Sequence, residues 1–285
     1  MLARPGAAPA PAGDMHHSRA RTLGSRPAEA VTTYVTALTV GVTTAKHPEC
    51  KRGLATNIAA SLARHSAVSA RVCVVDADPY ALDVTTRLPV GGPVLEDFAR
   101  ANAPAAARVA RVGAPWPVAV LPCGGGPVAR VHLAAEPALR ELRDAFDLVV
   151  CDVPGGPSGP GLALGARLEL LDWLVLAVTP NRSAVAATSH FLELFQTARD
   201  RGDIGSVKLA VVCTGDENSC DLSTSEVERL LEVGVAGRIP QLWGRSEPNR
   251  GFGAALAIPE LDDAVYDLFT AFREGRDHQR RLVVL

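Results

Sequence analysis

The sequence predicts an α/β protein of three layers, a mostly parallel twisted sheet with helices on both faces. Three observations point there. From about residue 33 onward, apolar β-rich runs alternate with helical patterns, the rhythm of βαβ units. The runs stay apolar over five or six residues, as strands buried on both faces do. With 285 residues, 47% of them hydrophobic, the chain has enough apolar surface for one large core.

The expected strands are "YVTALTVGV" (34–42), "RVCVVDAD" (71–78), "PVAVLPC" (117–123), "DLVVCDVP" (147–154), "WLVLAVTP" (173–180), "VKLAVVCTG" (207–215) and "VAGRIP" (235–240). Between them lie stripes at helical spacing: Leu54, Ile58, Ala59 and Leu62; Leu139, Leu142 and Phe146; Phe191, Leu194, Phe195 and Ala198; and Leu261, Val265, Leu268, Phe269 and Phe272. "VPGGPSGPG" (153–161) reads as a loop at a strand end, and in open α/β sheets ligands gather at those carboxyl ends. Residues 1–30, rich in Ala, Pro, Arg and Gly, read as a disordered lead-in, 31–275 as the folded domain and 276–285 as a tail.

Composition narrows the function. A net charge of −2 gives no global attraction to nucleic acid or anionic lipid. The six cysteines show no paired spacing, and Cys73, Cys151 and Cys213 sit inside apolar runs, which fits reduced core thiols of a cytoplasmic protein. The seven histidines make no zinc-ligand spacing with them. No uninterrupted run of 18 apolar residues is present.

The informative stretch is "VTTAKHPECKRGLATNIAASLA" (42–63), a strand running into a lysine-bearing turn and then a helix. The chain has 26 arginines but only three lysines, at 46, 51 and 208, so two of the three fall in this turn. A slim point charge chosen there over arginine suits an anion site. Downstream, "VVDADP" ends one strand, "FDLVVCDVPGG" carries Asp152 into a proline-containing loop, and "VLAVTPNRSAV" and "GRIP" follow in order. These pieces together resemble the deviant-Walker P-loop ATPases typified by MinD and ParA, over roughly residues 33–272.

That resemblance implies a P-loop NTPase-like fold, ATP and Mg²⁺ as cofactors, and homodimerisation. It also assigns roles. Lys51 would bind phosphate. Lys46 would reach across a dimer to the partner's phosphates. Asp78 would position the attacking water, Asp76 would support the switch region, and Asp152 would reach Mg²⁺ through water. Arg52 and Gly53 complete the aligned loop.

The loop departs from the family's K-G-G-x-G-K-T-T. At its glycine positions stand His47, Pro48 and Cys50. Glycines let consecutive N–H groups converge on an anion, whereas Pro48 has no N–H and a fixed φ. Glu49 adds a charge that, at 4 Å from a phosphate, repels by about 4 kcal/mol at an effective dielectric of 20. Arg52 stands where a Ser or Thr would offer a hydroxyl to Mg²⁺, and a guanidinium has no acceptor. It could instead donate to phosphate in place of the metal. Thr214 occupies the region where the family often has an adenine-reading Asn.

The reading is therefore a MinD/ParA-like regulatory protein, a pseudo-ATPase scaffold in cell division, polar localisation or envelope assembly, with protein partners. A scaffold of this kind is expected to tolerate Lys51→Ala. The alternative is an active ATP-dependent dimerising switch. A ligase of the dethiobiotin synthetase type would need an intact loop. An iron–sulfur reductase would need loop cysteines at a dimer axis, and Cys151 lies within a strand. Arg238, Trp243, Arg245 and Arg250 read as an ordinary loop flanking the last core helix, the alternative being a stacking and phosphate-contacting surface. The tail "RDHQRRLVVL" reads as a frayed terminus; the alternative is its loose resemblance to the basic and apolar end by which some relatives touch membranes, which at this length would give the cytoplasmic protein only a weak peripheral contact at the inner face of the membrane.

Overall fold

The structure, a computed structural model, describes residues 37–46, 51, 53–64, 70–88, 91–99, 110–111, 118–156, 169–215, 220–239, 265–267 and 269–270. All of them fall within one compact unit, Val35–Leu285. The expected lead-in and tail, residues 47–50 and 52, and Trp243, Arg245 and Arg250 lie outside the described residues.

Among the described residues the sheet has eight strands: β1 Leu38–Thr44, β2 Val72–Asp76, β3 Ala110–Arg111, β4 Val118–Leu121, β5 Leu148–Asp152, β6 Trp173–Val178, β7 Lys208–Thr214 and β8 Val235–Ile239. Their order is β3-β4-β2-β5-β1-β6-β7-β8. Every neighbouring pair is parallel except β3 with β4. The seven expected runs are the seven parallel strands. β1 begins later than expected and extends to Thr44. The antiparallel β3, with only two residues, is too short to show any period in the sequence.

Alternation along the strands divides the core. Val72, Val74, Val118, Val120, Leu148 and Val150 face one layer, with α1 (Leu54–Arg64) and with Val265 and Phe269. Cys73, Val75, Ala119, Leu121, Val149 and Cys151 face the other. That second layer holds the 3₁₀ helix Leu95–Ala99, α3 (Val128–Ala145), α4 (Arg182–Asp200) and α5 (Thr224–Leu231). A short α2, Asp83–Arg87, follows β2. This is the three-layer arrangement that continuous apolar strands require, because each of their faces must be covered.

Parallel pairing brings the carboxyl ends of β2, β5, β1 and β6 to one edge. Asp76 and Asp152 are register partners there. β1 and β6 are neighbours whose onward helices, α1 and α4, cover opposite faces, so the crevice between them is the switch point at which doubly wound sheets place ligands. At the opposite edge Lys208 lies 5.3 Å over the Trp173 ring, a cation–π contact that gives the third lysine a packing role. No helix among the described residues is long and apolar enough to cross a membrane.

The apolar stripes missed α5, which buries only Val227 and Leu231. Its signal is polar: Ser223 and Glu226 form a reciprocal capping box. The helix ends at exposed Glu232 with φ of 56°, a left-handed position that glycine adopts without steric cost. Glu232→Gly should therefore stabilise the protein by about 0.5–1 kcal/mol, read as a higher urea midpoint with unchanged slope; a lower midpoint would show that the Glu232 side chain itself contributes.

Candidate functional site

The site is built at the carboxyl edge around one buried cation. Lys51 has helical backbone and is 1% exposed. Its ammonium donates to Asp78 Oδ2 at 2.7 Å, to Asp152 Oδ1 at 2.5 Å and to the Val153 carbonyl at 2.7 Å. An ammonium has three donors, and here each has an acceptor. Asp152 comes from the end of β5 and Asp78 from two residues beyond β2, so the side chain bridges two adjacent strand ends.

Asp78 is engaged on both oxygens. While Oδ2 accepts from Lys51, Oδ1 accepts from the Tyr80 and Ala81 amides at 3.1 Å each, and the Asp78 carbonyl accepts from Leu82 N at 3.0 Å. This is the self-capping turn that Asp favours. Asp76 is equally committed. Its Oδ2 accepts from the Thr85 amide and hydroxyl at 2.9 and 2.7 Å, and its Oδ1 accepts from the Asp78 amide at 3.2 Å.

Burial sets the protonation behaviour. Desolvation lowers the Lys51 pKa, but Asp152 and Asp78 more than offset it, so the group is raised and stays cationic. Desolvation pushes Asp152 up to about 7, with Lys51 opposing and Asp76 and Asp78 adding to the rise. Asp76 is also raised by burial, against its Thr85 hydrogen bonds.

Gly53 is buried with φ of 73°. Its N–H donates to Asp83 Oδ2, and its carbonyl accepts from the Asn57 amide and side chain at 2.9 and 2.6 Å. Helix α1 therefore starts after a left-handed glycine, and a buried carboxylate caps its first turn. Lys46 lies apart from this cluster. Its exposed amine donates to Ser183 Oγ at 2.7 Å across the β1/β6 switch point, beside Asn181, which caps α4 through the Ala184 amide at 2.8 Å. Arg52 lies outside the described residues.

The structure thus brings Lys51, Asp76, Asp78 and Asp152 together, sets Gly53 next to them, and leaves Lys46 at the neighbouring crevice. Sequence reasoning missed Asp83 and Thr85. Both lie in "ALDVTT", just past the point where "DADP" matches, and no local spacing marks them. It also missed Glu96, a buried carboxylate that accepts from the Gly124 and Gly126 amides at 2.8 and 2.9 Å and from the Cys123 thiol at 3.6 Å. Burial pushes Cys123 up to about 12, which keeps that thiol protonated as a donor. Arg238 donates to the Gly215 carbonyl at 2.8 Å and to Thr224 at 3.1 Å, so it ties β8 to α5 and to the loop after β7.

The described residues do not fit Mg²⁺-ATP in this arrangement. The lysine that would meet phosphate is saturated, the Gly53 N–H that opens α1 is taken by a carboxylate, and Asp152 is bonded to Lys51. Among the described residues no group of three or more His, Cys, Asp or Glu side chains is arranged to hold a metal ion.

The expected tolerance of Lys51→Ala does not follow from this geometry. The substitution would leave Asp78 and Asp152 buried without their counter-charge, a loss of about 3–5 kcal/mol, measurable by chemical denaturation; a loss under about 1 kcal/mol would contradict the burial and pairing described. Asp152 gives a pH signature. Its folded pKa near 7 exceeds its ordinary value of 3.8, so the folded state holds the proton longer than the unfolded state. Stability contributed by that proton is present at low pH and falls as pH rises from about 4 to about 7. Urea midpoints across that range should decline in the wild type, and the decline should shrink in Asp152→Asn.

No family model and no curated protein sequence matches the chain. Solved structures do. The chain superposes on the MinC:MinD cell division complex of Aquifex aeolicus with a TM-score of 0.64 at 16% identity, covering 82% of this chain and 96% of that one. It superposes on MinD with Mg-ADP from Pyrococcus horikoshii at 0.61 and 15%, covering 86% and 97%. A ParA family ATPase from Chlorobium tepidum matches at 0.57 and 17%, covering 72% and 84%. The chain has the three-layer, P-loop NTPase-like fold of the MinD and ParA ATPases.

Proposed function

We propose that the protein is a MinD/ParA-like regulatory scaffold that binds protein partners, in cell division, polar localisation or envelope assembly, and does not turn over ATP. One observation carries this reading: all three ammonium protons of Lys51 are donated to the protein itself. The substitutions in the aligned loop support it from the sequence side, with Pro48 in place of a backbone donor and Arg52 in place of the metal-side hydroxyl. The likeness to a MinD that is seen with MinC supports a protein partner.

A second reading, an ATP-dependent dimerising switch, is favoured by Lys46. Its amine stays exposed at the β1/β6 crevice, where a cation could still meet a ligand or a second copy.

Equilibrium binding of a fluorescent ATP analogue, with and without Mg²⁺, separates the two. The scaffold reading expects no saturable binding up to millimolar nucleotide and no change of mass in light scattering. Micromolar binding together with an ATP-dependent doubling of mass that Asp78→Ala abolishes would replace it with the switch.

A further inference from the structure

Two anion-seeking groups of the lysine loop, the Lys51 ammonium and the Gly53 N–H, each take a carboxylate from one short turn, and Lys51 is further held by Asp152 and the Val153 carbonyl. Asp78 begins that turn and takes Lys51 at 2.7 Å. Asp83, five residues later, takes the Gly53 N–H. Both carboxylates are buried, at 2% and 7% exposure. A cation and a helix-opening N–H side by side are the pair of groups by which a strand–loop–helix holds phosphate oxygens.

The turn itself is shaped for this spacing. Asp78 Oδ1 gathers the amides of residues 80 and 81, and Leu82 is held with φ of 48° and ψ of 37°. A left-handed leucine is disfavoured, and such a conformation persists only where its surroundings over-determine it. Here the Leu82 N–H is bonded to the Asp78 carbonyl at 3.0 Å, its side chain packs against the core, and the next residue is Asp83. The strained residue therefore lies between the two carboxylates and sets where the second one falls.

We infer that the Asp78–Asp83 turn is a built-in anion that occupies the phosphate seat of Lys51 and Gly53, so that phosphate-bearing ligands meet an autoinhibited site. The inference rests on the scaffold reading. The competing ligand class is the phosphate or polyphosphate group. Asp83 is the residue to remove, because it takes the helix-opening N–H, whereas removal of Asp78 would also strip the buried lysine of a counter-charge.

The test uses the full chain and inorganic pyrophosphate as probe, with wild type, Asp83→Ala, Asp83→Asn and, as a control for lost charge alone, the exposed Asp144→Ala. Affinity is read by calorimetry and by the pyrophosphate dependence of the melting temperature. Asp83→Ala should bind pyrophosphate at least tenfold more tightly than wild type, Asp83→Asn should shift in the same direction, and Asp144→Ala should match wild type. Asp83→Asn keeps the size of the side chain, so a variant that unfolds on truncation still leaves one that reports. No gain in either Asp83 variant, or an equal gain in Asp144→Ala, overturns the inference and leaves the scaffold reading standing. Micromolar ATP binding by wild type defeats the scaffold reading, and the Asp83 comparison still decides whether the turn competes.

Discussion

A lysine ammonium withdrawn from water is costly unless charge and hydrogen bonds replace its hydration. In this protein Lys51 meets that demand with two aspartates and a carbonyl, and the rest of the carboxyl edge is arranged around it. Asp152 ends β5 and Asp78 follows β2, so the cation fixes the ends of two neighbouring strands relative to the helix that begins at residue 54. One lysine faces three buried aspartates. Burial raises both Asp152 and Asp76, with the neighbouring aspartates adding to the rise at Asp152, and Thr85 and backbone amides supply Asp76 with hydrogen bonds.

The same device recurs along the edge. Thr85 accepts from the Cys123 amide at 2.9 Å and so connects Asp76 to the loop after β4. There Glu96 gathers the amides of Gly124 and Gly126. A side chain at either glycine would crowd that carboxylate, since a Cβ would come within 3.2 Å of Glu96 at Gly124 and 3.0 Å at Gly126. From Lys51 to Glu96 the polar groups form a contiguous chain of hydrogen bonds across three strand ends, in which buried carboxylates take the N–H groups that glycine-rich turns expose. Networks of this kind stabilise when complete and are costly when a member is lost.

The MinD and ParA ATPases share the layered fold with this chain, and a shared fold leaves open the chemistry of the site. In this chain the arrangement is local and chemical. Gly53 carries a positive φ where the chain passes from Lys51 into α1, and a carboxylate from outside that loop caps the start of α1. The nearby Lys46 belongs to a different environment, exposed at the cap of α4, so the two lysines that the sequence places five residues apart differ in burial, partners and accessibility.

Much of this is legible in the amino-acid sequence alone. Apolar runs identify the seven parallel strands, most clearly β2, β4, β5 and β6, which are buried along their whole length. The scarcity of lysine marks Lys46 and Lys51, and "DADP" and "CDVP" mark the aspartates, because residues at strand ends keep a fixed place relative to the sheet. The capping box of α5 is likewise a purely local signal that the sequence carries. It does not carry Asp83, Thr85 or Glu96, whose partners lie 30, 9 and 28 residues away, nor the burial and saturation of Lys51. Those are products of tertiary structure: hydrophobic periodicity reports which face of an element is covered, whereas the partner of a buried charge depends on which strand ends the parallel pairing brings to the same edge.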